Sequence, residues 1–174
     1  MEIAIRRATM ADAVSLSTIA SQTFYDTFTG TCTEQDMQSF LEEYFNLKQV
    51  QADLSNEHDF YYLAESAGNA IGYLRFMEDY GNLSLMKEWK AVELKRIYVS
   101  KDFHGKGVAQ QLMDFAIQYA ANNQYEVIWL GVWEHNLRAQ RFYKKYGFVN
   151  SGHTHDFPIG STPQTDLWMW KFLK

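Results

Sequence analysis

The sequence predicts a mixed α/β fold, with a central, splayed sheet of about seven strands flanked by helices. Three observations support this prediction. Apolar residues alternate with period two in several short segments and recur at helical spacing in others. After residue 92 a helix separates two consecutive strands, which implies a parallel pair. The length of 174 residues and the 47% hydrophobic content suit one buried core, so residues 1–174 are expected to form a single domain.

The first half of the chain predicts a strand, three helices and a hairpin. The strand covers residues 2–6, and the helices cover 10–28, 33–45 and 47–54, with Thr33 as a typical N-cap. Strands at 60–64 and 70–77 flank a Gly68-Asn69 turn, and 79–89 is expected to be a loop. The apolar positions expected to face inward on the first two helices are Val14, Leu16, Ile19, Phe24, Phe28, Met37, Phe40, Leu41, Tyr44 and Phe45.

The second half predicts alternating strands and helices. A strand over 92–99 leads through a turn at 104–109 into a helix with a clean apolar face. A strand over 127–133 precedes a helix that begins near Asn136, with Gly147 as the expected C-cap. Two final strands lie around 149–154 and 165–173.

The strand over 92–99 contains a phase slip. Leu94 and Ile97 are three residues apart, whereas one face of a strand repeats every two. A bulge near Lys95 and Arg96 would reconcile them, and a strand buried on both faces would explain the pattern equally well. A bulge matters because it frees backbone N–H groups and spreads the neighbouring strands.

The turn His104-Gly105-Lys106-Gly107-Val108-Ala109 offers bare backbone N–H groups to an anion at a helix N-terminus. It is neither of the commoner nucleotide motifs: Gln110 replaces the third glycine of G-x-G-x-x-G, and no Gly-Lys-Ser/Thr ending is present. A tight turn without a ligand remains an equal alternative. Asn136 and Tyr143 stand two turns apart on one helix face, where the first is by default an N-cap and the second a packing residue. Their conjunction with the turn indicates transfer chemistry on a phosphorylated carrier.

Charge and composition exclude several functions. The net charge of −5 argues against nucleic acid as a partner, and no stretch approaches the roughly 18 apolar residues of a membrane span. The N-terminus does not resemble a signal peptide, and the single cysteine, Cys32, fits a reducing cytoplasm. Residues 1–93 carry a net −9 and residues 94–174 a net +4, which is compatible with a cationic substrate on one side and an anionic cofactor on the other. The acidic residues expected to attract that substrate are Asp26, Glu34, Asp36, Glu42 and Glu43.

The residues over 93–148 resemble the GNAT superfamily of acyl-CoA-dependent N-acetyltransferases. The resemblance is carried by the glycine turn and by Asn136-x-x-Ala-x-x-Phe-Tyr-x-Lys-x-Gly-Phe. It implies acetyl-CoA as cosubstrate, no metal, and a small-molecule amine as acceptor, and it allows a homodimer. The residues that it implies for cofactor binding are Ile97, Tyr98, Val99, His104, Gly105, Lys106, Gly107, Val108, Ala109, Asn136 and Lys145. His104 departs from the family's Gln or Arg, so the backbone amides of 105–109 carry the expected pyrophosphate contact.

The chain is also similar to PaiA-type spermidine/spermine acetyltransferases, through segments that include 23–28, 129–134 and 164–167. This resemblance implies a polyamine acceptor. Tyr143 falls where the family places the acid that protonates the leaving thiolate, and Glu93 where part of the family places the base for the amine. A solvated strand end is the alternative for Glu93. Other amine acceptors (an amino acid, an antibiotic or a protein N-terminus) and a non-catalytic acyl-CoA or polyamine sensor remain alternative functions.

Overall fold

A computed structural model describes residues 1–78 and 84–173. Within these ranges the strands are β1 (Ala4–Arg7), β2 (Asp59–Ser66), β3 (Asn69–Met77), β4 (Ala91–Val99), β5 (Val127–Trp133), β6 (Val149–Asp156) and β7 (Thr165–Phe172). The α-helices are α1 (Ala13–Phe28), α2 (Glu34–Tyr44), α3 (Leu47–Ser55), α4 (Val108–Asn122) and α5 (Leu137–Lys145). No helix in the described part of the chain is long and apolar enough to cross a membrane.

The strands form one mixed sheet in the order β1-β2-β3-β4-β5-β7-β6. Every neighbouring pair is antiparallel except β4 and β5, which are parallel and are connected through α4. The predicted fold class, the seven strands and the parallel pair are therefore confirmed.

Helices cover both faces of the sheet, and each face has its own hydrophobic core. On one face α4 packs through Leu112, Met113 and Ala116 against the sheet. On the other face α1, α2 and α3 enclose a second core that is rich in phenylalanine. Because side chains alternate along a strand, the residues of β4 and β5 that point away from α4 face the second core and the cleft described below.

The local predictions are mostly confirmed. The hydroxyl of Thr33 accepts a hydrogen bond from the Asp36 backbone N–H at 3.1 Å, as an N-cap does. Two inward positions are wrong: Val14 is 64% exposed and Tyr44 is 41% exposed, because the buried stripes of α1 and α2 pass beside them. In the predicted loop over 79–89, residues 84–88 form a 3₁₀ helix, and residues 79–83 lie outside the described part of the chain.

A buried network of ion pairs and hydrogen bonds connects α3 to strands β2 and β3. Nε of Arg75 donates to Oδ1 of Asp59 at 2.6 Å, and Nη2 donates to Oδ2 at 2.8 Å. Nη1 lies 3.2 Å from Oδ2 of Asp53, which also accepts from the Tyr61 hydroxyl at 2.8 Å. Hydrogen bonds on both sides of the guanidinium offset the cost of burying it. Arg75 is therefore fixed in place, and it is also the register partner of Arg96.

Candidate active site

A cleft opens where β4 and β5 separate. The parallel register described by the structure joins residues 91–93 of β4 to residues 127–129 of β5, and beyond these residues the two strands diverge. The cleft has a volume of about 1200 Å³ and is lined by residues of α1, β4, β5, α5 and β7. Both predicted catalytic residues, Glu93 and Tyr143, line it.

The predicted bulge in β4 is confirmed at Lys95. Two consecutive residues of β3, Arg75 and Phe76, pair with Arg96 and Leu94, so Lys95 is the extra residue. A bulge bends its strand and increases the local twist. The divergence of β4 from β5 therefore begins where the sequence pattern slips out of phase.

Beyond the bulge, β4 presents alternate backbone groups to the cleft. The Ser100 N–H donates to the Ile71 carbonyl at 2.9 Å. Because the hydrogen-bonding direction alternates along an antiparallel strand, the N–H and C=O groups of Ile97 and Val99 point away from β3. Nε2 of His104 already donates to the Val99 carbonyl at 2.9 Å. The remaining groups of Ile97 and Val99 are free to pair with an extended ligand.

Tyr98 contributes to the cleft in a different way. By the same alternation its backbone groups face β3, so they are directed away from a ligand in the cleft. Its side chain lines the cleft and stacks on Tyr73, with 5.9 Å between the ring centroids. Burial raises the pKa of the Tyr98 hydroxyl, so this ring remains neutral.

The glycine turn has the conformation that an anion cradle requires. Gly105 and Gly107 have φ values of +76° and +82°, which lie in the left-handed region that favours glycine. Gly107 is the N-cap residue of α4. A Cβ atom at either glycine would meet no protein atom within 4 Å. The space beside the helix N-terminus is thus open to a ligand that approaches the backbone closely.

The other residues of the turn have distinct positions. His104 and Ala109 line the cleft. The Val108 side chain is buried in the core and anchors the start of α4, so only its backbone N–H faces the turn. Lys106 is exposed, with its ammonium 5.0 Å from the centroid of the Phe103 ring. The predicted cofactor-binding residues of the turn therefore share one place in the fold.

Helix α5 begins as the sequence predicts, but its C-cap is Tyr146 and not Gly147. Oδ1 of Asn136 accepts from the Ala139 N–H at 3.1 Å, and Asn136 also lines the cleft. Gly147, with φ +83°, follows the helix, and its N–H donates to the Lys144 carbonyl at 3.0 Å. Lys145 is exposed in the last turn and lies outside the lining of the cleft, so its role in cofactor binding stays a prediction.

Tyr143 is buried at the wall of the cleft. Its ring packs between Phe142 and Phe148, at centroid distances of 5.7 and 6.0 Å. Within the described residues its hydroxyl makes no hydrogen bond, so it is available to a ligand. Burial raises the pKa of this phenol, and the nearby charge of Asp166 raises it further. Tyr143 therefore keeps its proton at neutral pH, as a proton donor must.

Glu93 is not a solvated strand end, because it is only 7% exposed. Oε1 of Glu93 lies 3.3 Å from Nζ of Lys95. Burial raises the pKa of the Glu93 carboxyl, and the charge of Lys95 opposes the rise. A carboxylate with a raised pKa accepts a proton more readily than an exposed one.

Asp166 is a further residue of the cleft, and it was not among the site residues expected from the sequence. It lies on β7, opposite Trp133 of β5 and His155 of β6, and its side chain lines the cleft. Burial raises its pKa to about 6, and the charge of Glu93 adds to the rise. The available signal was an aspartate inside a predicted strand, where this residue type is depleted.

Aromatic side chains enclose the part of the cleft near these carboxylates. Trp129 and Trp168 contact each other at 5.6 Å between ring centroids, and Trp133 lies 5.5 Å from Phe28. Indole and phenyl faces carry a partial negative charge that attracts cations. The fold and the cleft thus define the class of protein: a transferase with an anion cradle on one side of the cleft and a carboxylate-rich aromatic pocket on the other.

Comparisons with known proteins identify the family. The model of the acetyltransferase (GNAT) family matches residues 20–148. An uncharacterized N-acetyltransferase from the pepI 3′ region of Lactobacillus delbrueckii subsp. lactis is 33% identical over 156 residues, which cover 89% of this chain and 88% of the relative. This chain belongs to the GNAT acetyltransferase family, and its activity is N-acetyl transfer.

Two solved structures share the fold over nearly the whole chain. PaiA N-acetyltransferase from Thermoplasma acidophilum, in complex with coenzyme A, has a TM-score of 0.79 at 20% identity and covers 99% of both chains. The spermidine/spermine N-acetyltransferase SpeG from Vibrio cholerae has a TM-score of 0.69 at 19% identity and covers 99% of this chain and 95% of its own. At such identities the likeness concerns the fold alone.

Proposed function

We propose that this N-acetyltransferase moves the acetyl group of acetyl-CoA to a primary amine of a small cationic substrate, such as spermidine or spermine. The observation that carries the proposal is that one cleft contains a neutral phenol, a buried carboxylate and residues of the glycine turn. These groups match the needs of the reaction: an acid for the leaving sulfur, a base for the amine and a cradle for phosphates.

The residues present fit acetyl-CoA as the cosubstrate. The open space at Gly105 and Gly107 admits a pyrophosphate against the backbone N–H groups at the start of α4. The free backbone groups of Ile97 and Val99 suit the amide groups of a pantetheine arm lying along β4. Asn136 lines the same side of the cleft, although its Oδ1 is already used in capping α5.

Each proton in the proposed reaction has a place. The amine nitrogen bonds to the acetyl carbon, and the bond from that carbon to sulfur breaks. Glu93 takes one proton from the ammonium before the attack and later releases it to solvent. Tyr143 gives its proton to the departing sulfur and regains one from the nitrogen as the amide forms. The base is useful because an alkylamine with a pKa near 10.4 is neutral in only about one molecule in a few thousand at pH 7.

The cationic substrate is proposed on the cleft's own charges. Of the five acidic residues expected from the sequence to attract it, Asp26 lines the cleft, whereas Glu34, Asp36, Glu42 and Glu43 do not. Asp26 is joined there by two carboxylates that the acidic helices do not supply, Glu93 and Asp166. The likeness in fold to a spermidine/spermine N-acetyltransferase supports a polyamine as the first substrate to test.

A salt series tests the polyamine. Thiol release from acetyl-CoA is measured with spermidine and with propylamine between 0.05 and 1 M salt. We expect a higher kcat/KM for spermidine, with a gap that narrows as the Debye length falls from about 10 Å at 0.1 M to about 3 Å at 1 M. The Asp26→Asn variant should show a smaller difference in kcat/KM between the two amines. The double variant Glu42→Gln, Glu43→Gln, at two exposed positions, should show the same difference as the parent. Equal kcat/KM values for spermidine and propylamine at low salt would exclude a polyamine as the preferred substrate, whereas the assignment as an N-acetyltransferase would still hold.

The cellular compartment and the oligomeric state of the protein are also proposals. We infer a reducing cytoplasm from the single cysteine, Cys32, whose pKa is raised by burial, so it is a poor nucleophile. A homodimer stays a prediction, which light scattering of the purified protein decides.

A further inference from the structure

The cleft face of β5 carries a notch. Trp129, Gly131 and Trp133 alternate along this face, so a residue without a side chain stands between two indoles. The φ of Gly131 lies outside the left-handed region, so its backbone conformation does not demand glycine. The space beside it is occupied by Asp166: Oδ2 lies 2.9 Å from the position that a Cβ atom at residue 131 would take. A side chain at residue 131 would therefore displace the Asp166 carboxylate from the notch.

The carboxylate in this notch is not used by the protein. Among the described residues, no hydrogen bond or ion pair within 4 Å involves Asp166. Lys95, the cation whose charge acts on Asp166, is paired with Glu93 at 3.3 Å. A half-buried carboxylate without a donor is costly, and burial accordingly raises its pKa. Carboxylates with such a raised pKa cluster at functional sites.

A second observation concerns the two indoles beside the notch. Nε1 of Trp129 and Nε1 of Trp133 are buried and have no hydrogen-bond partner within the part of the chain that the structure describes. Trp129 is only 2% exposed, and both residues line the cleft. Buried donors without acceptors are rare in folded proteins. The two indole N–H groups beside the notch and the carboxylate inside it thus lack hydrogen-bond partners among the described residues, and a ligand in the notch would supply them.

The position of the notch tells which part of the substrate it takes. Asp166, Tyr143 and Glu93 all line the same cleft. Glu93 pairs with Trp129 of β5, and Asp166 lies against Gly131, two residues further along the same face of that strand. The charge of Asp166 also raises the pKa of Tyr143. Tyr143 and Glu93 are the groups proposed to serve the leaving sulfur and the amine. Asp166 therefore faces the reacting nitrogen and not a distant part of the substrate.

We propose that Asp166, seated in the Gly131 notch, binds the reacting primary alkylammonium and presents its nitrogen to Glu93. This inference rests on the proposed function. A primary ammonium has three N–H donors, so it can donate to Asp166 and to Glu93 at the same time. Glu93 takes one proton, and the nitrogen remains held by an N–H donated to Asp166. The indole faces of the notch add attraction for the cation.

Amine binding to the enzyme–CoA complex, measured by calorimetry, tests this inference without relying on turnover. The probes are spermidine and propylamine. Asp166→Asn should weaken both by roughly 10- to 100-fold, because a charged hydrogen bond is lost. Asp156→Asn, an exposed carboxylate on the neighbouring strand, is the matched control and should bind as the parent does. The affinity for CoA should stay close to that of the parent in both variants, and both should still unfold in one cooperative thermal transition.

A second variant separates the notch from general effects on the fold. Gly131→Ala adds a Cβ atom that displaces the Asp166 carboxylate, so it should weaken amine binding although Asp166 is retained. Combining it with Asp166→Asn should cause no further loss, because both changes remove the same contact. If Gly131→Ala does not fold, Asp166→Asn and its control still decide the matter.

The outcomes distinguish this inference from the proposed function. If Asp166→Asn binds both amines as the parent does, or if the parent binds neither, the inference is overturned. Acetyl transfer that persists without dependence on Asp166 leaves the proposed function standing alone. Amine binding that depends on Asp166 but leads to no acetyl transfer supports the inference and overturns the proposed function.

Discussion

Nζ of Lys95 lies 3.3 Å from Oε1 of Glu93, and this contact joins the bulge of β4 to the proposed base. Lys95 is the residue that the bulge adds to the strand, and Glu93 is the last β4 residue still paired with β5. The irregularity that opens the cleft thus also supplies the cation beside its buried carboxylate. The contact has a measurable effect on the pH dependence of the enzyme.

Replacing Lys95 with Met should move the acid limb of the pH profile of kcat/KM to higher pH. Burial raises the pKa of Glu93, and the positive charge of Lys95 opposes this rise. Without that charge the pKa rises further, so Glu93 is protonated, and inactive as a base, up to a higher pH. Lys48→Met, an exposed lysine on α3, is the control. An acid limb that stays in place in Lys95→Met would show that Glu93 is not the base.

Replacing Tyr143 with Phe should lower kcat by roughly 10²- to 10⁴-fold with little change in the affinity for CoA. The hydroxyl lacks a hydrogen bond within the described residues, so its removal leaves no internal partner unsatisfied. The measurement combines steady-state kinetics with calorimetry of CoA binding. Tyr44→Phe, at an exposed position of α2, should retain full activity. If the Tyr143→Phe variant retains the full kcat, Tyr143 is not the general acid and serves only as a packing residue.

Replacing Gly107 with Val should strongly weaken CoA binding. The side chain would fill the open space beside the start of α4 and would strain a backbone with φ +82°. Gly68→Val is a matched control, because Gly68 has φ +77° and equally open surroundings in the hairpin between β2 and β3. Both variants carry similar strain, so only Gly107→Val should lose CoA affinity by calorimetry. Equal affinities in the two variants would contradict the phosphate cradle.

Replacing Asp166 with Asn should stabilise the protein more at pH 8 than at pH 4. The folded-state pKa of Asp166 is raised to about 6, so ionisation of this group costs stability. The cost is absent below the ordinary pKa of an aspartate, grows as the pH rises through 6, and is complete above it. The melting temperature of the variant minus that of the parent should therefore increase between pH 4 and pH 8. A difference that is constant with pH would argue against the buried, unpaired carboxylate.

The order of elements and the glycine turn could be predicted because their signals are local. Period-two and helical spacing located most strands and helices, and the slip between Leu94 and Ile97 located the bulge. Gly107 and Asn136 were predictable because positive φ and helix capping select particular residue types. Each of these depends only on residues within a few positions of one another.

The part of the cleft that is proposed to bind the amine could not be predicted, because it is formed by strands that are far apart in the sequence. Asp166 reaches Gly131 only because β7 pairs with β5 in one register, which the sequence does not specify locally. The burial of Glu93 likewise depends on its pairing with Trp129 of β5. Overall charge was a poor guide for the same reason: none of the four acidic residues of α2 lines the cleft, so the proposed cation site depends on the cleft's own carboxylates.

The parallel seam between β4 and β5 has a consequence for the cooperativity of the fold. In residues 1–78 and 84–173, the strand pairing that joins β1–β4 to β5–β7 within the sheet is limited to residues 91–93 and 127–129. Amides at such a short junction are expected to exchange with solvent deuterium more readily than those at the centre of either half. A pantetheine arm lying along β4 would act as a bridging segment across the gap. CoA should therefore slow exchange at Ile97 and Val99 and make the two halves of the sheet unfold together.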